Sequence, residues 1–67
     1  MFEINAVEDE KNVWRVELTN EYGEMLVFDN NESMLDGLVT VITKFIDKCP
    51  SYRQEALETM FEFLKSL

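Results

Sequence analysis

Apolar and polar residues alternate along the first half of the chain, which is the pattern of strands with one buried face. In the best example Trp14, Val16 and Leu18 fall on one face, and charged or polar residues occupy the positions between them. Two further segments show the same alternation. The predicted strands are residues 2–7, 13–19 and 24–29.

The connection between the second and third strands predicts how they pair. Asn20 suits the first position of a type I turn, and Gly23 suits the left-handed position that follows it. This turn would place apolar residues opposite one another on the Trp14 face, so turn chemistry and apolar pattern agree. The predicted partners are Leu18 with Leu26, Val16 with Phe28, Glu17 with Val27, and Arg15 with Asp29.

The second half of the chain carries apolar residues at helical spacing. The spacing predicts helices over about residues 32–48 and 52–66, separated at Pro50, which disfavours helical geometry in the residue before it. Gly37 either permits a close backbone approach or marks a weak first turn, since glycine costs about 1 kcal/mol relative to alanine inside a helix. The order βββαα predicts an α+β domain spanning residues 1–67, with an antiparallel hairpin or three-stranded meander followed by two helices.

Negative charge is concentrated in the half of the chain that forms the strands. Residues 1–36 hold ten acidic and two basic residues, whereas residues 37–67 hold four of each, for a net charge of −8. Such a field repels nucleic acid and anionic lipid, and no apolar stretch is long enough to span a bilayer. We therefore expect neither direct nucleic-acid binding nor a membrane protein.

The residue types that usually carry catalysis are scarce. The chain has no histidine, no glycine-rich phosphate loop and one cysteine. Cys49 is either a reactive thiol or a small core residue, and the second reading is favoured because no histidine is available to activate it. We expect no enzymatic activity, no cofactor and no metal site. The lack of a signal peptide pattern and of a disulfide framework favours a cytoplasmic protein.

A compact protein bearing ordered carboxylates could occupy the basic groove of a nucleic-acid-binding protein. In size, charge and lack of catalytic groups, the chain resembles small phage-encoded inhibitors, including anti-CRISPR proteins. The first functional hypothesis is therefore an inhibitor that mimics DNA or RNA with an acidic surface. The candidate residues of that surface are Glu8, Asp9, Glu10, Glu17, Glu21, Glu24 and Asp29.

The alternative hypothesis places the interface on the helices. Apolar residues cover more of the second helix than a simple surface helix needs, and a domain this small often gains stability by self-association. The chain would then be a structural or regulatory interaction protein that forms a homodimer. The candidate self-association residues are Leu57, Phe61 and Leu64.

Overall fold

Three antiparallel strands are followed by two helices, so the predicted βββαα order and the α+β class are confirmed. The computed structural model describes residues 2–67. The strands form one sheet in the order β1-β2-β3, a meander with β2 in the centre. The elements are β1 (Glu3–Glu8), β2 (Trp14–Thr19), β3 (Met25–Asn31), α1 (Met34–Lys48), a short 3-10 helix (Pro50–Tyr52) and α2 (Arg53–Lys65).

The register of β2 with β3 matches the prediction at three of its four pairs. Val16 lies opposite Phe28, Glu17 opposite Val27 and Leu18 opposite Leu26. The prediction that Arg15 pairs with Asp29 is wrong, because a bulge interrupts the ladder there and Trp14 pairs with Asn31 instead. Because Trp14 pairs with Asn31, β3 continues to residue 31, two residues beyond the predicted end.

The bulge is held by backbone geometry and by one side chain. Asn30 adopts a left-handed conformation with φ of 64°, which asparagine tolerates better than most residues. The Asn31 Nδ2 group donates hydrogen bonds to the carbonyl oxygens of Trp14, at 3.1 Å, and Phe28, at 2.8 Å. Asn31 therefore bridges the two strands where their regular hydrogen bonding is broken.

Both hairpins use the same turn. In the β1–β2 turn, Asp9 Oδ1 accepts from the N–H groups of Lys11 at 2.8 Å and Val13 at 3.0 Å. In the β2–β3 turn, Asn20 Oδ1 accepts from Tyr22 at 2.9 Å and Glu24 at 3.0 Å. The fourth position of each turn is left-handed. The residues there are Asn12, with φ of 62°, and Gly23, with φ of 82°.

The core lies between one face of the sheet and the two helices. Its buried side chains come from β2, α1 and α2, and they are Val16, Leu18, Leu38, Val41, Ile42 and Ala56. Gly37 is also buried, and a Cβ atom placed on it would lie 2.5 Å from Val16 Cγ2. Of the two readings of this glycine, the structure therefore supports the close backbone approach.

The helix boundaries lie within two residues of the predicted ones. α1 begins at Met34 after the N-cap Ser33, whose Oγ accepts from the Asp36 N–H at 3.1 Å. α2 begins one residue later than predicted because the chain first forms the 3-10 turn after Cys49. Within residues 2–67, neither helix combines the length and apolar character that crossing a bilayer requires.

Candidate functional site

The two hairpin turns lie at opposite ends of the sheet, and this divides the predicted acidic surface. Glu8 pairs with Trp14, which pairs with Asn31, so the β1–β2 turn and the β3–α1 connection share one end. The β2–β3 turn occupies the other end, next to the start of β1 where Glu3 pairs with Thr19. We call the end with the β1–β2 turn the anionic end and the end with the β2–β3 turn the far end.

The anionic end collects acidic residues from four separate segments: the end of β1, the first turn, the end of β3 and the start of α1. Two basic residues, Lys11 and Arg15, belong to the same region, so its formal charge is −4. All six acidic residues are exposed. They are Glu8, Asp9, Glu10, Asp29, Glu32 and Asp36.

Four of these six were predicted from the sequence, and the fold brings the four together. Asp9 and Asp29 line one shallow depression, and Arg15 lines it as well. The Asp9 carboxylate also accepts two backbone N–H groups within its turn, which fixes its position. Glu8 and Glu10 flank Asp9, so the turn presents neighbouring carboxylates from a shaped loop rather than from an extended chain.

Glu32 and Asp36 were missed as members of this surface. The periodic patterns do not associate them with the first turn, which lies more than twenty residues earlier. A signal was nevertheless present, because α1 follows β3 almost directly and its first turn must lie near the end of that strand. Acidic residues there also suit the positive end of the helix dipole.

Glu17 lies apart, on the sheet face that the helices leave uncovered. Its Oε2 atom lies 3.1 Å from Arg15 Nη2, and its Oε1 accepts from Asn5 Nδ2 at 3.2 Å. The side chain is 16% exposed. Arg15 Nε also lies 3.8 Å from Asp29 Oδ1, so one guanidinium offsets charge on both carboxylates. Glu17 therefore adds little to an anionic surface.

Glu21 and Glu24 belong to the far end. Glu24 Oε1 accepts from Asn20 Nδ2 at 2.9 Å, which ties it to its own turn. Lys48, at the end of α1, lines a depression with Glu24. The structure thus separates the seven predicted acidic residues into four at the anionic end, one in the middle of the open sheet face and two at the far end.

The predicted self-association residues share one flank of α2. Phe61 is 55% exposed, whereas Leu57 and Leu64 are half-buried and pack against the core. Leu57 and Phe61 also line a shallow depression on the outer surface with Pro50 and Glu58. The exposed apolar surface of this flank therefore centres on Phe61.

The remaining candidate chemistry is sparse. Cys49 is half-buried at the end of α1, where its N–H donates to the Phe45 carbonyl at 2.9 Å. Within residues 2–67 no group of three or more cysteine or acidic side chains is arranged to hold a metal ion. Comparison with protein-family models, curated proteins and solved structures finds no match to this chain.

Proposed function

We propose that this chain is a non-enzymatic protein-binding module that uses its anionic end to occupy a basic surface on a nucleic-acid-binding protein. The supporting observation is that exposed carboxylates from four segments converge at one end of the sheet. A partner that holds DNA or RNA offers a basic groove of complementary charge. Binding there would block the groove, which is how a small phage-type inhibitor of the anti-CRISPR kind would act.

Electrostatics supports fast and specific association. A rigid cluster of like charge steers a basic partner toward it, and the effect falls as salt screens the field. Structured elements position two of these acidic residues, since the Asp9 carboxylate is fixed by its turn and Asp36 lies in the first turn of α1. Little conformational entropy is then lost on binding. In the proposed setting both proteins meet in the cytoplasm.

The partner can be captured from the native host on the immobilised protein and identified by mass spectrometry. Affinity for that partner is then measured against salt concentration and in competition with duplex and single-stranded nucleic acid. We expect steep weakening with salt and mutual exclusion with nucleic acid. A partner that binds this protein and nucleic acid simultaneously would contradict the mimicry.

A matched pair of variants localises the site. The first carries Glu8→Gln, Glu10→Gln and Glu32→Gln at the anionic end, and the control carries Glu3→Gln, Glu21→Gln and Glu24→Gln at the far end. Both variants lose three negative charges, so a difference between them reports position rather than total charge. We expect about tenfold slower association for the first variant and a smaller change for the control. Equal effects would remove the anionic end as the binding site.

A second candidate function is a structural or regulatory module that self-associates through its helices. It is favoured by the exposure of Phe61, at 55%, and of Leu67, at 69%, in a domain with few fully buried side chains. Sedimentation equilibrium tests it directly, because the monomer has a mass of 7.9 kDa. We expect reversible dimers that Phe61→Ser abolishes, and a strict monomer at high concentration would exclude this function.

A further inference from the structure

The outer flank of α2 has the spacing of a short helix-pairing surface. Leu57, Phe61 and Leu64 are separated by four and then three residues, which is the spacing of the apolar seam in coiled coils. Glu58 and Lys65 each follow one of the leucines, and both are exposed. They therefore occupy equivalent positions beside the seam, with opposite charge.

This arrangement complements itself when two copies of α2 run in opposite directions. Residue numbers rise along one copy as they fall along the other, so aligning Phe61 with Leu64 of a second copy also aligns Leu64 with Phe61 of that copy. The same alignment places Glu58 beside Lys65 of the second copy, and the two-fold symmetry repeats the contact.

The parallel arrangement is less favourable because it aligns two helix dipoles in the same direction, which is repulsive. Antiparallel pairing places the two dipoles in opposite directions, which is attractive.

We propose that α2 is the interface of an antiparallel homodimer in which Phe61 packs on Leu64 of the second copy and Glu58 pairs with Lys65 of that copy. This inference rests on the self-association proposed above. It adds the surface that each copy contributes and the register in which the two α2 helices pair. Leu35 and Val39 on α1 are also more than half exposed.

The expected dimer is weak. A standard specific interface takes about 800 Å² from each partner, roughly a sixth of the 4890 Å² accessible surface of this chain. The proposed seam has three apolar residues, whereas such an interface takes about 20–30 residues from each side. We therefore expect dissociation in the micromolar range, within reach of analytical ultracentrifugation.

Charge-reversal variants test the register on the full chain. Glu58→Lys and Lys65→Glu should each weaken the dimer about tenfold, because each converts two attractive contacts into two repulsive ones. The double variant Glu58→Lys/Lys65→Glu should restore the wild-type dissociation constant. Arg53→Glu is the matched control, since Arg53 lies beyond the overlap in the antiparallel register but beside Glu58 of the second copy in a parallel one.

The outcomes separate the register from self-association itself. Weakening by both single variants, restoration in the double variant and no effect of Arg53→Glu support the antiparallel dimer. A dimer that Arg53→Glu weakens and that the double variant does not restore overturns the register, while self-association stands. A monomer at all concentrations overturns both. Circular dichroism of each variant checks that the fold is retained.

Discussion

The backbone of Gly37 lies directly against the side chain of Val16. A Cβ atom on this residue would lie 2.5 Å from Val16 Cγ2 and 2.8 Å from Asn31 Nδ2. Both neighbours are constrained, because Val16 is fully buried and Asn31 bridges two strands. The glycine therefore lets the first turn of α1 settle onto the sheet beside the bulge.

Gly37→Ala should destabilise the fold, although alanine is the better helix former by about 1 kcal/mol. We expect a net loss of about 1–3 kcal/mol, because overpacking forces the helix away from the sheet. Urea unfolding measures the free energy. The variant Gly37→Ala/Val16→Ala tests the cause, because it removes the Val16 methyl groups that the new Cβ atom would meet. Its loss in the free energy of unfolding should be smaller than the sum of the losses in the two single variants. A stabilised single variant would contradict the close approach.

Asn31→Asp should be strongly destabilising for so small a change. The carboxylate keeps the shape of the amide but has no N–H to donate, so it would face the carbonyl oxygens of Trp14 and Phe28. We expect a loss of about 1–3 kcal/mol in the free energy of unfolding. Asn30→Gly is the neighbouring control, and it should be neutral or slightly stabilising because glycine adopts a positive φ without strain.

Asp9 should be replaceable by asparagine but not by alanine. Only one side-chain oxygen of Asp9 accepts the two turn N–H groups, and Asn20 performs the same task in the other hairpin with an amide oxygen. Asp9→Ala should lower stability by about 1–2 kcal/mol, whereas Asp9→Asn should stay within about 0.5 kcal/mol of the wild type. Thermal unfolding of both variants measures the loss of stability. Equal losses would show that charge, rather than hydrogen bonding, is responsible.

Arg15→Gln should speed association with the partner under the proposed function. The change removes the guanidinium beside Glu17 and Asp29 and leaves those carboxylates less offset. Stability should fall by less than about 1 kcal/mol because the ion pairs are partly exposed. Stopped-flow mixing should show about a twofold faster rate. Lys44→Gln, on α1, also removes one positive charge. It should change the association rate less than Arg15→Gln does.

Added sodium chloride should raise the melting temperature. The chain holds fourteen acidic and six basic residues, so like charges are closer together in the folded state than in the unfolded one. Salt screens this repulsion, with a Debye length that falls from about 30 Å at 0.01 M to about 10 Å at 0.1 M. Calorimetry over that range measures the effect, and a melting temperature that fell with salt would mean that ion pairs such as Arg15–Glu17 outweigh the repulsion.

Elements whose causes are local were predictable from the chain. Alternation at period two and apolar spacing at helical period depend on residues a few positions apart, and they located all three strands and both helices. The β2–β3 register followed for the same reason, since Asn20 and Gly23 set the turn and the turn sets the nearest pairs.

Contacts between distant segments were decided by tertiary structure. The bulge opposite Arg15 depends on Asn31 reaching Trp14, which lies 17 residues earlier. The anionic end is of the same kind, because Glu8 and Glu32 come to the same end of the sheet only when the meander returns β3 to the end where β1 finishes. A linear pattern records which side chains are acidic and which backbone segments are regular. Which carboxylates share a surface depends on how the strands and helices pack, and that is set by burial of the common apolar core.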